Sequence, residues 1–111
     1  MGNGIKILSD DYQAYQLSTA SFAYKSGRVV TLTMNGETFV SSGAVSVTIP
    51  AECRPPVSVV TPVMVVRSQD NAYFLGYMYV NSNGDINCYG VVNNIYAYFD
   101  GIVYATVTYI T

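Results

Sequence analysis

From position 44 to 66 the chain reads A-V-S-V-T-I-P-A-E-C-R-P-P-V-S-V-V-T-P-V-M-V-V. Few folds accommodate that stretch. Ala44–Ile49 alternates apolar and polar residues with period two, the pattern of a half-buried strand. Pro50–Pro56 is a stiff corner holding one arginine, Arg54. Val57–Val66 is a second apolar run, rich in β-branched valine and well short of the ~20 residues a membrane helix needs. The expectation is strand, rigid corner, strand. Prolines remove backbone donors and leave carbonyls without partners, so Arg54 reads as a structural arginine bonded to carbonyls of the corner.

The same grammar extends in both directions. Arg28–Met34 is predicted as a strand with Val30, Leu32 and Met34 on one face. Asn35-Gly36 then predicts a hairpin turn, because both residues tolerate positive φ, and Glu37–Val40 is the expected return strand. Ser41-Ser42-Gly43 is a loop, and Arg67–Asn71 is a polar loop. Ala72–Asn81 is a long strand with Tyr73, Leu75, Tyr77 and Tyr79 on one face. Ser82–Asp85 is a second turn centred on Asn-Gly, and Ile86–Gly90 returns from it. Val91–Gly101 reads as a longer loop or a broken strand, and Ile102–Ile110 as the closing strand.

Residues 1–27 carry weaker signals: a flexible Gly2-Asn3-Gly4, a short strand at Ile5–Leu8, and a turn or helix N-cap at Ser9-Asp10-Asp11. Tyr12, Tyr15 and Leu17 have a faint helical spacing. This part is read as an N-terminal extension or first strands, and 28–111 as the main domain. The whole predicts one all-β domain, an antiparallel sandwich or barrel of about eight short strands. Three runs, 57–66, 72–80 and 102–110, are apolar on both faces. An antiparallel sheet usually keeps one face wet, so the expectation is that the outer face meets another copy of the chain.

Composition narrows the function classes. Charged residues make up 11% of the chain, against roughly 25% in an ordinary globular domain. Tyrosine is heavily used, 11 of 111 residues, and offers a flat apolar ring with a hydroxyl at its tip. A net charge of −2 argues against phosphate-driven nucleic-acid binding. No catalytic residue is assigned: a serine or cysteine nucleophile needs a base, most often histidine, and there is none. Two isolated cysteines do not make a zinc site, so no metal or cofactor is expected. Asp70, Asp85 and Asp100 fall at turns, where aspartate serves local hydrogen bonding. Met1–Asp11 lacks the long apolar core of a signal peptide. Cys53 and Cys88 have the option of pairing, but without a secretion signal two free buried thiols are the expectation.

Two loops combine aromatic rings with amides and carboxylates, as a saccharide site requires. The first supplies Arg67, Asp70, Asn71 and Tyr73; the second supplies Asn93, Asn94, Tyr96, Tyr98 and Asp100. On a strand, Tyr96 and Tyr98 point to the same face. The same compositions also suit a solvated hairpin loop and tyrosines packed at a subunit interface. Tyr77, Tyr79 and Tyr89 are expected in cross-strand packing.

The order of motifs resembles a known family. The corner I-P-A-E-C-R-P-P (49–56), the strand V-V-T-P-V-M-V (59–65), the hairpin Y-V-N-S-N-G-D-I-N-C-Y-G (79–90) and the ending V-T-Y-I-T (107–111) are similar to those of head domains of tail-fibre or baseplate receptor-binding proteins from phages of Gram-positive bacteria. Glu52 and Cys53 depart from that pattern, which tends to have glycine and an aromatic there. The resemblance implies a non-enzymatic β head, a homotrimer attached to other tail or baseplate proteins of a virion, and binding of host cell-wall or capsular saccharide. No run approaches the ~20 apolar residues of a membrane helix, so no membrane insertion is expected. Two other readings stand beside the resemblance: a structural virion or tail-assembly module, and a carboxylate-dependent glycoside hydrolase.

Overall fold

The computed structural model describes residues 5–9 and 12–111, with side chains from Tyr12 onward. Gly2-Asn3-Gly4 and the Asp10-Asp11 part of the expected turn lie outside the described residues. The strands are β1 (Ile5–Ser9), β2 (Tyr12–Gln16), β3 (Ser21–Ser26), β4 (Val29–Phe39), β5 (Val59–Arg67), β6 (Tyr73–Val80), β7 (Ile86–Val92), β8 (Ile95–Ala97) and β9 (Gly101–Ile110). They form one sheet of nine strands in the order β1-β2-β3-β4-β9-β5-β6-β7-β8. Every pairing is antiparallel. The all-β expectation holds. The helical spacing at Tyr12 and Tyr15 carries no helix, since both residues sit in β2.

The sheet curls until its middle strands meet. Val45 bridges Phe39 of β4, and Ala44 bridges Asn87 of β7. Val45 N–H donates to Ile86 O at 3.0 Å, and Ser46 N–H to Thr38 O at 3.1 Å. Pairing therefore runs as a ring from β4 through β9, β5, β6 and β7 and back to β4 by way of residues 44–46. The interior is the apolar core: Val30, Leu32, Met34 and Phe39 of β4 pack with Val65, Met78, Val80, Ile86, Cys88 and Val103. Tyr15 and Ala23 extend this core along β2 and β3.

One end of the ring is plugged by the proline corner. Ile49 and Cys53 are fully buried there, around a single 3-10 turn at Ala51–Cys53. Ile49 N–H donates to Gly84 O at 2.8 Å, and the Tyr109 hydroxyl donates to Cys53 O at 2.6 Å. Arg54 Nε donates to Ile49 O at 3.0 Å, the structural role expected of it. Both cysteines are unpaired and buried. Burial pushes the Cys53 thiol up to about 11 and the Cys88 thiol up to about 12.

Two expectations need correction. Asn35-Gly36 is not a hairpin turn. β4 runs straight through it, and Gly36, at φ +90°, is the extra residue of a bulge between Asn35 and Glu37 in the ladder with β9. Positive φ at glycine serves a bulge as well as a turn, and the long partner strand β9 decides which. Ala44–Ile49 is not a strand beyond the two bridges, although Val47 and Ile49 are buried and their neighbours exposed. The period-two pattern reported burial correctly, but no continuous strand lies alongside. Val91–Gly101, read as a longer loop or a broken strand, is a broken strand: β7 runs to Val92, a turn follows at Asn93-Asn94 with φ of 53° and 66°, and β8 comes after it.

The bulge has a consequence for Glu37, which is buried and makes no ion pair among the described residues. Its Oε1 accepts from the hydroxyls of Ser18 and Ser21, and its Oε2 from Ser46 at 2.6 Å. Burial alone would raise its pKa, but these serine hydroxyls favour the charged form and hold it below the ordinary value. The carboxylate ties the β2–β3 turn and the bridging segment 44–46 to β4.

Candidate functional site

The other end of the ring is open. At its rim three phenylalanines stack toward the interior: Phe99 lies 5.5 Å from Phe74 and 6.1 Å from Phe39, ring centre to ring centre. Phe99 folds over β7 because position 90 is glycine; a Cβ there would sit 2.7 Å from a Phe99 ring carbon. Arg67, the last residue of β5, covers these rings. Its guanidinium carbon is 4.9 Å from the Phe74 centroid and 5.7 Å from that of Phe99, within cation–π range.

Asp70 holds the guanidinium there. Arg67 Nε donates to Oδ1 at 3.0 Å and Nη2 to Oδ2 at 2.7 Å. This two-point pairing lowers the Asp70 pKa and raises that of Arg67. The turn that allows it is local: Asn71 adopts φ 58° and its N–H donates to Arg67 O at 2.9 Å, while Ala72 N–H bonds Asp70 Oδ1 at 3.2 Å. Asp100 organises the opposite wall. Its Oδ1 accepts from Ser41 N–H at 2.9 Å and its backbone carbonyl from Ser68 N–H at 2.9 Å.

Between these walls lies a cleft of about 470 Å³ lined by Ser41, Arg67, Ser68, Gln69, Tyr98, Phe99 and Asp100. It offers an aromatic wall, an amide, a carboxylate, two serines and a fixed guanidinium. That mixture orients a polar ligand with an apolar face. Tyr98 is 65% exposed, so its ring is free to take a ligand.

Tyr98 also borders a tyrosine layer on the outer surface of β6, β7 and β8. Tyr89 meets Tyr98 edge-on at 5.5 Å and stacks on Tyr96 at 5.5 Å with 11° between planes. Tyr79 meets Tyr89 edge-on at 6.1 Å, and Tyr77 lies 6.2 Å from Tyr96. The Tyr79 and Tyr96 hydroxyls bond each other, and this bond raises the Tyr96 pKa. Register explains the layer: Tyr77 pairs with Tyr89 across β6–β7, and Val91 with Tyr96 across β7–β8.

The nine residues singled out from sequence thus separate. Arg67, Tyr98 and Asp100 come together in the cleft, with Asp70 behind Arg67. Asn71 serves its turn through backbone conformation, as do Asn93 and Asn94 at the exposed β7–β8 turn. Tyr96 belongs to the tyrosine layer. Tyr73 borders a separate apolar groove of about 290 Å³ with Val63, Met64, Phe74 and Leu75. Sequence reasoning passed over Ser41, Ser68, Gln69 and Phe99. Ser68 and Gln69 were within the loop it chose, and Phe99 sits between two chosen residues. Ser41 carried no local signal, since it enters through the ring closure at 44–46.

Among the described residues, no three His, Cys, Asp or Glu side chains gather as metal ligands, and no helix is long and apolar enough to cross a membrane. No protein-family model matches the chain, and no curated protein matches its sequence.

Proposed function

We propose that this chain is a non-enzymatic saccharide-binding head domain, the receptor-binding end of a phage tail appendage that works as a homotrimer. The observation that carries the saccharide reading is Tyr98, a 65% exposed ring set at the lip of a cleft whose other walls carry Asp100, Gln69 and Arg67. A pyranose offers one apolar face and a rim of hydroxyls. The ring takes the face, and the carboxylate and amide take the hydroxyls. The tail-appendage part of the reading rests on the motif order in 49–111.

The test is titration of immobilised host cell-wall and capsular polysaccharide with the chain and with Tyr98→Ala. The expected result is saturable binding by the parent and at least a tenfold loss in the variant, with an unchanged melting temperature. Equal binding by the two would reject this cleft as the site.

A second reading has its own observation. Val60, Met64, Tyr73 and Leu75 stand on the outer surface of β5 and β6, each at least half exposed. A scattering of such residues is ordinary, but here Met64 lies directly opposite Leu75, with Tyr73 two residues along β6 and Val60 further down the same face of β5. They favour a structural module in which this surface meets other copies. Light scattering separates the cases: a glycan-binding monomer would remove the trimer, and a trimer without glycan binding would leave only the structural role.

A further inference from the structure

The charge of the cleft selects among glycans, an inference that rests on the saccharide reading above. Among the described residues Arg67 is the one cation lining it, and Asp70 occupies Arg67 at two nitrogens. The remaining formal charge is the Asp100 carboxylate. Its Oδ1 is engaged by Ser41 N–H, and its Oδ2 has no protein donor among the described residues. The other cations with described side chains are Lys25, Arg28 and Arg54, bonded to the carbonyls of Glu52, Thr111 and Ile49. All three lie toward the plugged end of the ring, where β4 begins and β9 finishes. An acidic glycan entering the cleft would therefore meet a carboxylate and a guanidinium already neutralised.

We infer that the cleft takes neutral glycans and, preferentially, glycans bearing a free amine, and that it discriminates against uronate- or phosphate-bearing polymers. A hydroxyl and an ammonium can both donate to Asp100 Oδ2, but only the ammonium adds a full positive charge and makes an ion pair with the carboxylate. At a site this open the gain is modest, about two- to fivefold in affinity, and falls with added salt. The aromatic wall contributes equally for each class. Asp100 thus sets the charge preference, while Tyr98 sets binding as a whole.

The experiment is an array of neutral, amine-bearing and acidic microbial glycans at pH 6, followed by titration of the best binder of each class. The parent is expected to rank amine-bearing above neutral above acidic. Asp100→Asn keeps an acceptor for Ser41 N–H. It should make amine-bearing and neutral glycans bind alike, and Tyr98→Ala should weaken both. Acidic glycans ranking first, or an unchanged ranking in Asp100→Asn, would overturn the charge inference and leave the saccharide reading standing. Absence of binding to every class would overturn both.

Discussion

The two ends of the ring of strands are built from opposite materials. At the plugged end, Ile49 and Cys53 are fully buried, and hydrogen bonds to the backbone carbonyls of Gly84, Cys53 and Ile49 tie the corner to the β6–β7 turn and to β9. At the open end the rim is closed by phenylalanine rings under an arginine, and Tyr98, Gln69, Ser68 and Asp100 face outward. The contrast separates stability from recognition. The plugged end anchors a connector that crosses the ring without a continuous ladder, so it depends on buried side chains. The open end sits on strand termini already fixed by pairing, so its side chains are free to serve a ligand.

The largest effect should come from the plug. Ile49→Ala leaves a cavity where a fully buried side chain stood, and Leu or Ile to Ala in such places costs about 2–5 kcal/mol. Urea unfolding should show that loss, while glycan binding by the folded fraction stays unchanged. A loss of binding at full folding would mean that the two ends are coupled and would break the division.

Next comes the Glu37 clamp, which lies between the ends. Glu37→Gln removes a buried charge that three serine hydroxyls satisfy, and a hydrogen bond to a charged group contributes about 1.5–3 kcal/mol. The amide retains some of these bonds, so a net loss of about 1–2 kcal/mol is expected. The pH dependence is the sharper readout. Because the folded pKa lies below the ordinary 4.5, the group's stabilisation is complete above that value and is lost as pH falls through the lower folded one. Denaturation midpoints at pH 7, 5 and 3 should fall more steeply for the parent than for Glu37→Gln over the acid step. Parallel curves would show that Glu37 contributes no such term.

The two Asn-Gly pairs show how much of this was legible in the sequence. Asn83-Gly84 forms the expected hairpin turn, since Val80 pairs with Ile86 and everything that fixes the turn is within reach of it. Asn35-Gly36 has the same chemistry and forms a bulge, because β9 pairs on both sides of it and lies some seventy positions away in sequence. Asn93-Asn94 was readable in principle, since asparagine is the non-glycine residue that enters the left-handed region most easily. The strands at 59–67, 73–80 and 101–110 and the alternation at Val47 and Ile49 were local and readable. The Glu37 clamp and the packing of Phe99 under Arg67 were not, because residues 18, 21, 37 and 46, and Phe99 with the β5–β6 hairpin that carries Arg67 and Phe74, are brought together by the tertiary fold.

The glycines of these two pairs give a third test. Gly84→Ala combines a left-handed φ of +93° with a Cβ 2.6 Å from Arg54 Nε and 2.8 Å from Ile49 O. Gly36→Ala carries similar strain, but its Cβ meets only Tyr104 atoms at 3.5 Å or more. About 1–2 kcal/mol is expected for Gly36→Ala from backbone strain, and a larger loss for Gly84→Ala because the plug must shift as well. Thermal melts of the two variants compare them directly. A smaller loss at Gly84 would show that the plug is looser than its hydrogen bonds imply.

The smallest effect on stability belongs to the residue with the largest expected effect on binding. Tyr98 is 65% exposed and touches its neighbours by an edge contact with Tyr89, so Tyr98→Ala should stay within about 0.5 kcal/mol of the parent. Tyr89→Ala is the matched control. Tyr89 lies in the middle of the layer, in contact with Tyr79, Tyr96 and Tyr98, and its removal should cost more stability than that of Tyr98. If the cleft alone holds the ligand, Tyr98→Ala abolishes glycan binding, and Tyr89→Ala weakens it only by loosening Tyr98. If Tyr89→Ala weakens binding as severely as Tyr98→Ala while both melt like the parent, the recognition surface extends from the cleft across the tyrosine layer. The open end of the ring would then be one margin of a larger binding face.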